Sequence, residues 1–145
     1  MIPPRLSIVT IGARDVRSLV AFYERLGWKV GIAADDGFTA FETGGAVFTL
    51  WPLESLAAET GLEPDPPGRF RGVTLAVNVE EPSMVDSAID VARRAGARIL
   101  KEAEDASFGG RTGIFADPEG NAWEVAWMPG SSFDERGALV LPQDS

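Results

Sequence analysis

The chain has 145 residues, 45% apolar and 24% charged, a balance that belongs to a folded domain rather than a disordered segment. Its 22 acidic residues against 13 basic ones leave a formal net charge of −9, which speaks against a nucleic-acid partner because phosphate binding needs concentrated Lys and Arg. The absence of both Cys and His excludes disulfides, thiolate nucleophiles, Cys-ligated metals and the commonest general base.

The N-terminal MIPPRLSIVTIG lacks a secretory pattern, and no stretch approaches the ~20 apolar residues that span a bilayer, so no membrane partner is expected and the cytoplasm is the expected location. The β-branched run LSIVTIGA predicts a buried strand. Asp15 is a plausible N-cap for a helix with Val16, Leu19, Val20, Tyr23 and Leu26 at helical spacing, stopped by Gly27. WKVGIAA, FTAFET and AVFTLWP predict three strands separated by turn-forming clusters, and LESLAAETG a helical turn or two. EPDPPGR, with three prolines, reads as a linker. Beyond it comes the strand FRGVTLAVNV, then a helix from about Ser83, where Ser83 and Asp86 have capping-box spacing, with Val85, Ala88, Ile89 and Ala92 on one face. ARILKEA, RTGIFAD and NAWEVAW supply three more strands, with turns at Gly109-Gly110 and DPEG.

The order βαβββ therefore occurs twice, and Val9-Thr10-Ile11 lies 64 positions before Val73-Thr74-Leu75, as an internal duplication would place it. One helix per half covers one sheet face and leaves the other open, and two such halves side by side would form a cleft suited to a small ligand. The expected organisation is a single α+β domain over residues 1–145: module one at about 5–60, a linker at 61–69, module two at about 70–130, and a tail at 131–145.

Four stretches, VTIGARDVRSLVAFYERLGWKV, FTAFETGGAVFTLWP, GVTLAVNVEEPSMVDSAIDVARRAGARILKEA and FGGRTGIFADPEGNAWEVAWMPG, carry a family resemblance. The chain resembles the vicinal oxygen chelate superfamily, which contains glyoxalase I, the bleomycin-resistance proteins and extradiol dioxygenases. The resemblance implies paired βαβββ modules forming an open, cup-shaped mixed sheet, commonly in a homodimer, and it leaves the chemistry open because the fold hosts lyases, oxygenases and plain binders.

Metal-using members of that family place His, Gln or Glu on the first and fourth strands of each module. The matching positions here are Ile8, Thr49 (or Phe48, one register step away), Thr74 and Glu124. One carboxylate beside Ile and two Thr is a poor set for a divalent cation, so no metal and no other cofactor is expected under the primary reading. On an alternating strand Trp123, Val125 and Trp127 would pack under a helix, leaving Glu124 to face the cup between Ala122 and Ala126. It could then act as a general base, contact a ligand cation, or survive as a relic paired with Arg111 or another basic residue.

Trp51, Phe38, Phe41, Phe108 and Phe115 fall around the cup mouth, with Trp51 and Phe108 the better candidates to line it, since aromatics at strand spacing are more often core. Asn78, polar within an apolar strand, is either a ligand contact or a satisfied edge residue, and Arg111 completes the ligand-binding candidates. The expected function is metal-independent binding of an apolar or cationic small molecule. The alternatives are a glyoxalase-type lyase or dioxygenase that holds a metal through Glu124, and a homodimer whose cup is filled by its own side chains.

Overall fold

In a computed structural model describing residues 1–142, the chain divides into two compact units, one ending at Asp65 and one beginning at Pro66. The first unit runs β1 (Ile8–Ala13), α1 (Val16–Arg25), β2 (Val30–Ala33), β3 (Thr39–Phe41), β4 (Val47–Pro52) and α2 (Leu53–Thr60). Its four-stranded sheet has the order β1-β4-β3-β2, with β1 parallel to β4 and the remaining pairs antiparallel. Asp15 caps α1, accepting from the Ser18 amide at 3.0 Å and its hydroxyl at 2.7 Å, and these bonds hold its carboxyl below the ordinary range.

The inner face of α1 presents Leu19, Phe22 and Tyr23, all fully buried. Tyr23 meets Phe48 at a centroid distance of 5.0 Å, Trp28 at 5.4 Å and Phe41 at 5.7 Å, so an aromatic cluster fixes α1 on the sheet. The same cluster settles the register of β4. Phe48 points at α1, and Thr49 therefore points to the other face.

That other face is not left bare at its end. The helical turn or two expected in LESLAAETG is the eight-residue α2, about two turns long. A Cβ added at Gly12 of β1 would lie 2.6 Å from Leu53 Cδ1 and 3.2 Å from Leu53 Cα, so glycine eases the close approach of this helix to the strand.

The second unit repeats the order with β5 (Thr74–Asn78), α3 (Pro82–Ala95), β6 (Arg98–Asp105), β7 (Arg111–Ala116) and β8 (Ala122–Trp127), in a sheet ordered β5-β8-β7-β6 with β5 parallel to β8. Both sheets are open and mixed, which is the α+β pattern of two βαβββ modules. The capping box expected at Ser83 and Asp86 is not formed. Glu81 is the N-cap without a side-chain bond, and Pro82 occupies the first turn, where its fixed φ and missing N–H cost nothing. Ser83 is inside the helix, and Asp86 is turned toward β7, where it holds Arg111.

Val85, Ile89, Ala92 and Ala95 bury the inner face of α3, and Phe115 stacks on Trp123 beneath it. The DPEGN turn between β7 and β8 is built by Asp117, which is 3% exposed and accepts from the Glu119 amide at 2.9 Å, the Asn121 amide at 3.0 Å and Asn121 Nδ2 at 2.8 Å. Replacing Asp117 with alanine would strand these donors. The expected result is a loss of about 1–3 kcal/mol in urea unfolding, and an unchanged midpoint would show that the turn forms without it.

After β8 a short hairpin joins β9 (Ser132–Phe133) to β10 (Leu139–Val140). The last residues of the tail expected over 131–145 lie outside the described residues. Among the described residues no helix is long and apolar enough to cross a membrane.

Candidate functional site

In the second unit the two faces of the sheet are told apart by Gly113, where an added Cβ would lie 2.7 Å from Ile89 Cγ1 of α3. Gly113 pairs with Val125 and Phe115 with Trp123, so these residues face the helix. Thr112, Ile114 and Ala116 of β7, and Ala122, Glu124 and Ala126 of β8, therefore face away from it. Glu124 pairs with Ala76 on one side and Ile114 on the other, and Lys101 pairs with Ile114 from the edge strand β6. One rung across four strands thus reads Ala76, Glu124, Ile114, Lys101.

Glu124 is half-buried, and its carboxylate makes no hydrogen bond or ion pair with any described residue. Its flanking residues on this face are Ala122, half-buried, and Ala126, 6% exposed. Thr74 and Asn78 stand diagonally across from it on β5, Thr74 exposed and Asn78 half-buried with no side-chain hydrogen bond to a described residue. Sequence reasoning missed three polar residues on this face: Lys101, whose Nζ lies 3.2 Å from Thr112 Oγ1 and 3.1 Å from Glu104 Oε1, and these two partners.

Arg111 is on the opposite face. It pairs with Trp127, and its guanidinium meets Asp86 through two bonds of 2.8 Å and Asp105 at 3.0 Å. The pairing of Glu124 with Arg111, one of the readings left open by the sequence, is not made. The Arg111 guanidinium holds the Asp86 carboxyl below the ordinary range and is itself held further into its charged form by Asp86 and Asp105. A lowered folded-state pKa gives stability that is present above the ordinary carboxyl value of 3.8 and is lost as pH falls through the lower, folded value. Acid unfolding is therefore expected to steepen below that value, and less so in Asp86→Asn. Identical acid profiles for the two proteins would remove the clamp from the account.

Phe108 is 57% exposed in the loop between β6 and β7, where a Cβ on Gly110 would collide with its ring and with the Trp127 carbonyl. Phe41 and Phe115 are core residues, at 2% and 4% exposure, and Phe38 is half-buried.

In the first unit Thr10 pairs with Thr49 and Gly12 with Trp51, so Ile8, Thr49 and Trp51 share the face turned away from α1. Thr49 is 1% exposed, and its hydroxyl lies 2.8 Å from the Thr10 hydroxyl and 3.2 Å from the Val9 carbonyl oxygen. Trp51 Nε1 donates to Asp36 at 3.2 Å, and the same carboxylate accepts from the Phe38 amide, which fixes how the indole is presented. Ile8 stands two residues before the partner of Thr49, and Thr74 two residues before the partner of Glu124. The two units thus repeat one pair of positions in one register.

Tested as metal donors, those four positions fail chemically. Ile8 has no lone pair, the Thr49 hydroxyl is buried and engaged, Thr74 is a neutral hydroxyl, and only Glu124 is a strong ligand. Zinc sites use three or four donors, and even magnesium takes one or two carboxylates with further help. The residues present do not fit a divalent ion. Among the described residues, no three His, Cys, Asp or Glu are grouped so as to hold one.

Two βαβββ units, each an open mixed sheet with its long helix packed on one face and a polar position on the other, define the class of α+β proteins with a repeated βαβββ module. The chain belongs to the Glyoxalase/Bleomycin resistance protein/Dioxygenase superfamily, whose model matches residues 5–125. Comparison with curated proteins gives no match. Among solved structures, a glyoxalase-related enzyme from Fulvimarina pelagi is 25% identical with a TM-score of 0.86, over 97% of this chain and 99% of that one. A glyoxalase/bleomycin resistance protein/dioxygenase from Nocardioides is 26% identical with a TM-score of 0.72, over 88% and 85%. A lactoylglutathione lyase from Agrobacterium tumefaciens, 16% identical with a TM-score of 0.65 over 88% and 96%, shares the fold.

Proposed function

We propose that the protein is a metal-independent small-molecule binder that sequesters an apolar or cationic compound, with the Glu124 carboxylate as its charged contact. The observation that carries this reading is a half-buried carboxylate with no partner among the described residues, set between Ala76 and Ile114 on the sheet face turned away from α3. A carboxylate so placed has lost part of its hydration without gaining a counter-ion, and a ligand cation would supply one. The net charge of −9 favours the approach of such a ligand. Thr74 and Asn78 add hydrogen-bonding groups beside Glu124, while Trp51 and Phe108 offer aromatic surface in their own settings. A homodimer in the cytoplasm is part of the same proposal.

Titration of intrinsic tryptophan fluorescence with benzylamine tests it, since Trp123 and Trp127 lie on the strand that carries Glu124. A saturable change is expected. No response to benzylamine or to larger aromatic cations would overturn the reading.

A second reading is a lyase or dioxygenase in which Glu124 and the substrate share a metal. The likeness to a glyoxalase-related enzyme, 25% identical over 97% of the chain, favours it. A stoichiometric metal on protein purified without chelator would support that reading over the first.

A further inference from the structure

We propose that the helix-free face of the second unit selects a dipolar ligand, one that places a cationic group at Glu124 and an anionic or strongly accepting group at Lys101, with its apolar body over Ile114. This rests on Glu124 being the ligand contact and adds a second pole to it. Both side chains belong to one rung, each being the cross-strand partner of Ile114. With strands about 4.8 Å apart, their Cα atoms are roughly 10 Å apart, the span of a small aromatic or short aliphatic molecule with a charge at each end.

The two poles differ in kind. Glu124 has no partner among the described residues. Lys101 is held by Thr112 Oγ1 and Glu104 Oε1, two acceptors for three ammonium protons, so it is oriented and still has a donor to give. Its side chain is 37% exposed. Arg98, opposite Ala116 on the same face, adds an exposed cation to that margin, against the single carboxylate of Glu104. The β6 margin is therefore net positive and the β8 position negative, and a neutral or purely cationic ligand would use only half of the pattern.

Three probes separate the poles: benzylamine, benzoate and 4-(aminomethyl)benzoate, measured by calorimetry on the full chain. The dipolar compound is expected to bind about five times more tightly than benzylamine, the gain of one additional partly exposed charge contact. Lys101→Met should erase that advantage without weakening benzylamine, since it removes a cation and frees the Glu104 carboxylate, and Lys101→Arg should keep most of it. Equal binding of the dipolar compound and benzylamine to the unaltered protein would overturn the proposal without any variant, while leaving Glu124 as a cation contact. A fivefold preference that survives Lys101→Met would also overturn it. If benzylamine itself does not bind, as when a second copy of the chain covers this face, the Glu124 reading falls and this one with it.

Discussion

Truncating Tyr23 to alanine is expected to lower the stability of the protein by about 3–5 kcal/mol, the range seen for deleting a large buried aromatic. Tyr23 is fully buried, and its ring meets four others: Phe22 at 5.1 Å, Trp28 at 5.4 Å, Phe41 at 5.7 Å and Phe48 at 5.0 Å. These partners come from α1, the segment after it, β3 and β4. One truncation therefore opens a cavity at the point where the helix and the sheet of the first unit are joined. Domains of this size are stable by about 5–15 kcal/mol, so the loss is about a fifth of the total or more. Tyr23→Phe keeps the ring and should cost about 1 kcal/mol, the worth of one hydrogen-bonding group. Guanidinium unfolding monitored by circular dichroism measures both. An alanine variant within about 1 kcal/mol of the parent would mean that the cluster is not what holds α1 in place.

The second large effect is expected in binding rather than in folding. Glu124→Gln preserves shape and removes charge, and affinity for benzylamine should fall at least about tenfold, or 1.4 kcal/mol. Stability should change by less than about 0.5 kcal/mol, because the carboxylate has no partner among the described residues whose loss could be felt. This is the reverse of Asp117, a carboxylate that accepts from the backbone and from Asn121 and whose removal should harm folding. A carboxylate kept for structure and one kept for a ligand are separated by that contrast. If Glu124→Gln unfolds as readily as Asp117→Ala, or binds benzylamine as well as the parent does, Glu124 is not the contact.

Much of the fold was legible because its determinants are local. Asp15 and Gly27 bracket α1 as expected, the strands fall where β-branched residues cluster, and alternation correctly places Trp123 and Val125 under α3 with Glu124 opposite. The start of α3 was misread because Ser83 and Asp86 have the spacing of a capping box, while Pro82 begins the helix one residue earlier and Asp86 is drawn to Arg111.

Lys101 was illegible for a different reason. Plain alternation puts Ile99 and Lys101 on one face, but a register shift between them places Ile99 opposite Phe115 and Lys101 opposite Ile114. A bulge depends on the partner strand, and no residue type in ARILKEA announces it. The partners of Arg111 were hidden in the same way, since Asp86 lies 25 residues away along the chain. The helical turn or two expected in LESLAAETG matches α2, while its close approach to β1 depends on contacts between Gly12 and Leu53, distant from each other in the chain, and is not marked in the segment itself.

The claim on which the functional account depends is that Glu124 serves a ligand cation and does not hold a metal. Elemental analysis of the protein purified without added metal or chelator tests it most directly. The account predicts divalent transition metal far below one ion per chain, and no difference between the parent and Glu124→Ala. One ion per chain in the parent, lost in Glu124→Ala, would contradict it.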